Sequence, residues 1–534
     1  MTPFDWTIVG AYLLGMILLS VFLGKDQTSK DDYYVGGRSL SWWAIGISTM
    51  ATQTSAISFI SKPAFVALKP GGGLTWLQFE LALPLAVIVL MAVMVPFFRR
   101  LELVSVYEYL EMRFNAATRY LVSAVFLVSR GLAAGVIIYT TAIMMSVSLE
   151  TPLWLMIILI GVVTIIYDTI GGMKAVVYSD VIQMVMLLGG IALCIALAIE
   201  EVGSVWKIFE ILPAERLRAI DPGTGLGDGS TTPFWGVLIG GFFLYISYYG
   251  TDQSQVQRGL STDTIESTKK SLFFNGLARF PLTALYMLLG IAVFAVYQQS
   301  PDLQALVTVD NPDYLVPHYI IAHVPTGLKA VLIAAILAAA MSSVDSTLNS
   351  LSAVTMQDFV PDALSSGERS LFIGKVVTVI WGVLITAFAF LAPLIQGTII
   401  EVVNKIGSAF YGPIAAAFLV GILSKRANAT GIFWGISVGV AVNVSLWLAG
   451  LWLGHEIIYW MWWNMLGTVL TAGITLLMSY TAPAPSPEQL SAYTLSLADI
   501  RQSEKGWGKY YLILAVYFVV MLGLLVGVSI YAGA

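Results

Sequence analysis

Charge is scarce in this sequence: Lys, Arg, Asp and Glu together make up 11% of its 534 residues, where a soluble domain carries about a quarter. A chain so poor in charge cannot cover itself with water-exposed surface, and its 58% hydrophobic content needs another solvent. Cysteine is nearly absent. Cys194, set in an apolar run, allows neither an internal disulfide nor a thiolate metal cluster. Histidine is rare as well. His318 and His323 fall in a connecting segment, and His455-Glu456-Ile457-Ile458-Tyr459 lacks the second histidine of a zinc-protease helix. No nucleophile–base constellation is left, so catalysis is not expected. A net charge of -5 scattered over short loops gives nucleic acid no basic patch to bind. A cationic leader is also missing, because Asp5 stands where a signal peptide would carry Lys or Arg.

What the sequence has is apolar runs long enough to cross a hydrocarbon core about 30 Å thick. They fall at 6–23, 42–67, 75–98, 118–147, 153–171, 175–199, 233–251, 271–298, 327–354, 371–393, 397–424, 427–451, 458–480 and 508–531. The expected fold class is therefore an all-α integral membrane protein of about fourteen transmembrane helices, with lipid as its main partner. Uninterrupted apolarity, rather than period-2 alternation, selects helices over a barrel. Cations follow one face. With the first span running inward, the inner loops collect Lys25, Lys30, Arg38, Arg99, Arg100, Arg113, Arg119, Lys174, Arg258, Lys269, Lys270, Lys425, Arg426, Lys505 and Lys509. The outer side keeps Lys69, Lys207, Arg216, Arg218 and Lys329. This bias places both termini outside. The outer loops hold no N-x-Ser/Thr sequon, which fits a bacterial plasma membrane, and no soluble domain is expected.

Two polar clusters interrupt the apolar spans. Ser48-Thr49-Met50-Ala51-Thr52-Gln53-Thr54-Ser55-Ala56-Ile57-Ser58 would not be tolerated on a lipid-facing helix, and Lys62-Pro63 follows it. One reading is hydroxyl-mediated helix packing. The other is a helix broken at mid-membrane, whose freed carbonyls take a cation and whose N–H ends take a solute. The second cluster runs from Ala338 to Ser350, with small residues for close approach, hydroxyls on Ser342, Ser343 and Ser346, and the carboxylate of Asp345. Hydroxyl, carbonyl and carboxylate oxygens suit a hard cation. Asp180 is a further acid at membrane depth, where a charge costs at least ~2.5 kcal/mol unless partnered.

These residues stand beside Asp31-Asp32-Tyr33-Tyr34 with Gly36-Gly37-Arg38 and Trp42-Trp43, Gly171-Gly172-Met173-Lys174-Ala175 leading to Tyr178-Ser179-Asp180-Val181-Ile182-Gln183, and Gln255-Val256-Gln257-Arg258. In that order the sequence resembles the sodium:solute symporters, which carry sugars, proline, sialic acid or monocarboxylates. The resemblance implies a single transporter domain with a LeuT-like core of two inverted five-helix repeats, 42–199 and 233–424. An extra helix at 6–23 would precede it and additional helices at 427–531 would follow it. It implies sodium as the coupling ion. The principal site would use the carbonyls of Ala51, Thr54 and Ala339 and the hydroxyls of Ser342 and Ser343. A second site, used by some members, would take Asp180, Ser342, Asp345 and Ser346, so that one ion is expected and two are allowed.

For the solute, the resemblance points to Gln53, Ser55, Ser58, Glu80, Tyr245, Tyr248, Arg279 and Asn404, with Tyr248 as an inner gate. An acid, a cation and an amide at the positions of Glu80, Arg279 and Asn404 are sugar-like chemistry, so the expected solute is a small polar molecule, a sugar or polyol ahead of a carboxylate. Arg130, an intramembrane cation, argues for the carboxylate. It stands one turn from Ala133, which matches the arginine that grips the acid in the sialic-acid carriers, and an ion pair with Glu80 or another helix would also account for it. Asp168 replaces a residue that is usually small or hydroxylic, without an evident role. A channel or a non-transporting sensor would show the same binding residues.

Overall fold

The structure is a computed structural model that describes residues 2–25, 30–101, 103–361, 368–395 and 397–533. These residues are almost entirely helical and hold no strand, only an isolated bridge between Leu40 and Thr262. The helices that matter here are α1 (Pro3–Leu23), α2 (Trp42–Gln53), α3 (Ala56–Leu68), α4 (Gly73–Arg100), α5 (Ala116–Leu149), α6 (Leu153–Val202), α7 (Phe234–Gly250), α8 (Gln253–Leu260) and α9 (Ile265–Gln299). They continue with α10 (Leu315–His323), α11 (Leu328–Asp358), α12 (Glu368–Ala389), α13 (Ile399–Leu423), α14 (Ala429–Leu453), α15 (Trp462–Met478) and α16 (Gly508–Tyr531). Among the described residues ten helices are long and apolar enough to cross a membrane, and three more are apolar but shorter. The count of fourteen is not matched by length and composition.

Two departures from the expected spans have local causes. The run at 42–67 is not one helix. Thr54 leaves helical geometry at φ -113°, ψ 72°, and its hydroxyl bonds back to the Met50 carbonyl at 2.7 Å. Ser55 then starts α3 as its N-cap, accepting from Ile57 N at 3.2 Å. Hydroxyl side chains thus satisfy the backbone groups that a break in lipid would orphan. The spans at 153–171 and 175–199 join within α6, with no loop between them. The kink between them falls at Gly172, whose φ 60° and ψ -177° lie where only glycine is comfortable. Gly172→Ala is expected to destabilise the detergent-solubilised protein by ~1–3 kcal/mol, read as a lowered melting midpoint. Of the expected outliers, the side chain of Asp168 lies outside the described residues.

Among the helices long enough to span a membrane the most buried is α11, which packs against α5, α6 and α1. α2 and α3 lie between α9 on one side and α6 and α11 on the other. The small residues Ala338, Ala339 and Ala340 let α11 approach, and each is almost fully buried. Outside this core α14 and α15 pack on α13, and α16 lies against α4. On the side assigned as external, α10 packs on α3, and Lys69 at the end of α3 meets Glu401 at the start of α13 at 3.0 Å.

Candidate functional site

The break between α2 and α3 faces α11. Ser343 Oγ reaches the Thr52 carbonyl at 3.1 Å and the Ala339 carbonyl at 3.3 Å. Thr54 N donates to the Ala51 carbonyl at 2.9 Å, closing the last turn of α2. Ala51, Thr54, Ala339, Ser342 and Ser343 are all buried within this junction. The donor set contains neutral oxygens only, from backbone and hydroxyl, and that chemistry fits a hard monovalent cation. Ser342 Oγ donates to Asp180 Oδ1 at 2.5 Å. Its proton is therefore directed at the acid, and its lone pairs are left for a cation.

Asp180 is not a bare acid awaiting an ion. Arg258, from α8, pairs with it at 3.1 Å, and both side chains are fully buried. The same guanidinium donates to Ser48 at 2.8 Å, to the Ser254 carbonyl at 2.5 Å and to Ser346. Ser48 also donates to Asp180. One arginine thus ties α2, α6, α8 and α11 together, although the sequence places Arg258 among loop cations. Asp345 is buried and lies within electrostatic reach of Tyr12 on α1. Asp180, Ser342 and Ser346 come together, and Arg258 is the partner that sequence reasoning did not supply.

Beside the break lies a cavity lined by Gln53, Ser55, Ser58, Arg130, Tyr248, Arg279 and Asn404, all expected solute residues. Lys62, Trp76, Phe79 and Tyr411 line it as well and were not anticipated as solute residues. Glu80 and Tyr245 stand behind the wall. Glu80 accepts from Tyr245 at 2.9 Å and from Thr283 at 2.7 Å, and pairs with Arg279 at 3.4 Å. Arg279 also donates to Thr54 Oγ at 2.9 Å, so a side chain of the cavity grips the residue at the helix break.

Arg130 settles into an ion pair, with Asp252 at 3.1 Å, and not with Glu80. It donates to Ser254 at 2.9 Å and lies over the Tyr248 ring, 5.2 Å from the centroid. Tyr248 in turn receives Gln255 at 2.9 Å. Arg130 and Tyr248 thus meet in one wall of the cavity. Asp252 carried no signal in the sequence beyond its place at the N-cap of α8.

Comparisons with known proteins bear on the family and the fold. The model of the sodium:solute symporter family matches residues 33–439. The chain is 32% identical to a sodium/sialic acid symporter of Aliivibrio fischeri over 81% of its own length and 85% of that protein. It is 30% identical to sodium-coupled monocarboxylate transporter 1 of Homo sapiens, over 81% of this chain and 72% of that one. A solved Na+-coupled sialic acid symporter, substrate-bound and outward-open, superposes with a TM-score of 0.76 at 29% identity, covering 91% of this chain and 99% of that one. A helix broken against a hydroxyl-rich neighbour, in an all-helical fold shared with such carriers, leads to one conclusion: the chain belongs to the sodium:solute symporter family and is a multi-pass membrane protein that couples a small solute to sodium.

Proposed function

We propose that the solute is a small carboxylate, imported by alternating access with sodium bound at Ala51, Thr54, Ala339, Ser342 and Ser343. The observation that carries this reading is the charge count around the cavity. Lys62, Arg130 and Arg279 line it, while Glu80 and Asp252 are the acids that pair with these cations. Three basic side chains thus meet two acids, and a carboxylate solute supplies the third, which a neutral sugar does not. The sialic acid and monocarboxylate specificities of the related proteins support the same class. The sugar or polyol expectation has no such support.

Coupling follows from contact. Sodium at the break fixes the end of α2, including Thr54, and Thr54 holds Arg279 in the solute cavity. A fixed Arg279 presents its remaining N–H groups to the solute, so each ligand raises the affinity of the other. The two five-helix repeats, with both termini outside a bacterial plasma membrane, give this cycle its two directions. Tyr248 and the Arg130–Asp252 pair close it from below, and the Lys69–Glu401 pair closes it from above.

A panel of sugars and of hydroxylated and simple carboxylates tests the reading in proteoliposomes with an inward sodium gradient. Uphill accumulation of a carboxylate, abolished by dissipating the gradient, is the expected result. Accumulation of neutral sugars alone would overturn the solute class, and downhill flux alone would indicate a channel.

A further inference from the structure

We propose that Lys62 is the anchor for the solute carboxylate, and that the solute is an acid bearing hydroxyl groups. The inference rests on the carboxylate reading above and deepens it to a residue and a substrate class. Among the cations lining the cavity, Arg130 and Arg279 each hold an acid already, Asp252 and Glu80 respectively. Lys62 holds none. Lys62 as a whole is 1% exposed, and its ammonium donates to Thr283 Oγ at 3.1 Å and sits over the Tyr286 ring, 5.2 Å from the centroid. No carboxylate among the described residues lies within ion-pairing distance of it. Thr283 spends its own proton on Glu80, so the hydroxyl gives Lys62 a lone pair without neutralising it. A hydroxyl and an aromatic face hold the ammonium in place but supply no full counter-charge.

The polar residues nearby define the rest of the solute. Tyr249 donates to Gln53 Oε1 at 2.5 Å, which leaves the Gln53 amide N–H groups to donate. Asn404 spends its amide nitrogen on the Ile400 carbonyl at 2.7 Å, which leaves its oxygen to accept. Ser55 and Ser58 add hydroxyls from α3. One donor, one acceptor and two hydroxyls match a solute that both gives and receives hydrogen bonds, as alcohol groups do. Trp76 and Phe79 supply an apolar wall for its carbon skeleton. Lys62 sits two turns or less from the break on the same helix as Ser55 and Ser58, so the acid and the hydroxyls would be read by one element.

The full-length protein in detergent tests this with matched pairs of an acid and its neutral amide: D-glucuronate with D-glucuronamide, and L-lactate with L-lactamide. Melting midpoints are read with and without sodium, for the wild type, Lys62→Met and Lys62→Arg. In the wild type the acids stabilise and the amides do not, and D-glucuronate acts at lower concentration than L-lactate. Lys62→Met is expected to weaken acid binding at least thirtyfold. It should also melt at a higher temperature than the wild type in the absence of solute, because a buried unbalanced charge has been removed. Lys62→Arg should keep acid binding within about tenfold. Equal acid affinity in wild type and Lys62→Met would overturn the anchor while leaving the carboxylate reading intact. Equal stabilisation by acid and amide in the wild type would overturn both, and this measurement needs no variant to fold. Preference for L-lactate, which carries a single hydroxyl, over D-glucuronate would overturn the reading of several solute hydroxyls and leave the anchor standing.

Discussion

Ser343→Ala is expected to raise the sodium concentration for half-maximal uptake by about ten- to hundredfold, while the protein still folds and inserts. The magnitude follows from the ~1.5–3 kcal/mol that a hydrogen-bonding or ligating group contributes toward a full charge. Folding should survive because the Ser343 hydroxyl bonds only to two carbonyls, that of Ala339 within its own helix and that of Thr52, freed at the break and still open to sodium. Removing it leaves a small void at the helix break and no stranded donor. Sodium titration of solute uptake, and of solute-free thermal stabilisation, measures the shift. An unchanged sodium requirement in both would remove the α2–α11 junction as the ion site.

The second large effect is structural in origin. Arg258→Met is expected to destabilise the protein by ~3–5 kcal/mol, because it leaves Asp180 buried with its charge unmatched. Asp180→Asn should do the same from the other side, stranding a guanidinium that also binds Ser48, Ser346 and the Ser254 carbonyl. The double variant Asp180→Asn with Arg258→Met should recover much of the loss, since neither charge then remains. Melting curves of the three purified variants check this. Additive losses in the double variant would show that the two residues do not act as a pair. The consequence for ion binding is direct: loss of sodium dependence on changing Asp180 alone reports the bolt as much as any ion, whereas Ser343→Ala reports the ion.

Much of this was legible beforehand because lipid punishes polarity. Ser48–Ser58 and Ala338–Ser350 are conspicuous in an apolar chain, and both clusters meet at one junction. The break itself could be placed, since Thr54 and Ser55 are residues that satisfy loose backbone with their side chains. Pairing was less legible. Asp252 and Arg258 sit on α8, an eight-residue helix whose polarity reads as loop, so nothing in the spacing revealed that both point into the bundle. Glu80 was assigned to the solute on its chemistry. Which of Arg130 and Arg279 it would pair with depends on how α4 and α9 pack, a long-range fact that no window of sequence contains.

The Lys69–Glu401 contact has a bearing on which way the empty carrier rests. Lys69 keeps a quarter of its side chain in water, so this clasp is partly hydrated and is worth ~1 kcal/mol or less once salt screens it. The lower half is fastened differently, by Arg130–Asp252, Arg258–Asp180 and Arg119–Asp358, each with an acid hidden from solvent. Prising those apart leaves buried carboxylates without their cations, whereas Glu401, though little exposed itself, keeps its two bonds from Thr398 when the partly hydrated Lys69 leaves. On that difference the end bearing Lys69 and Glu401 is the cheaper one to open when the molecule is unloaded.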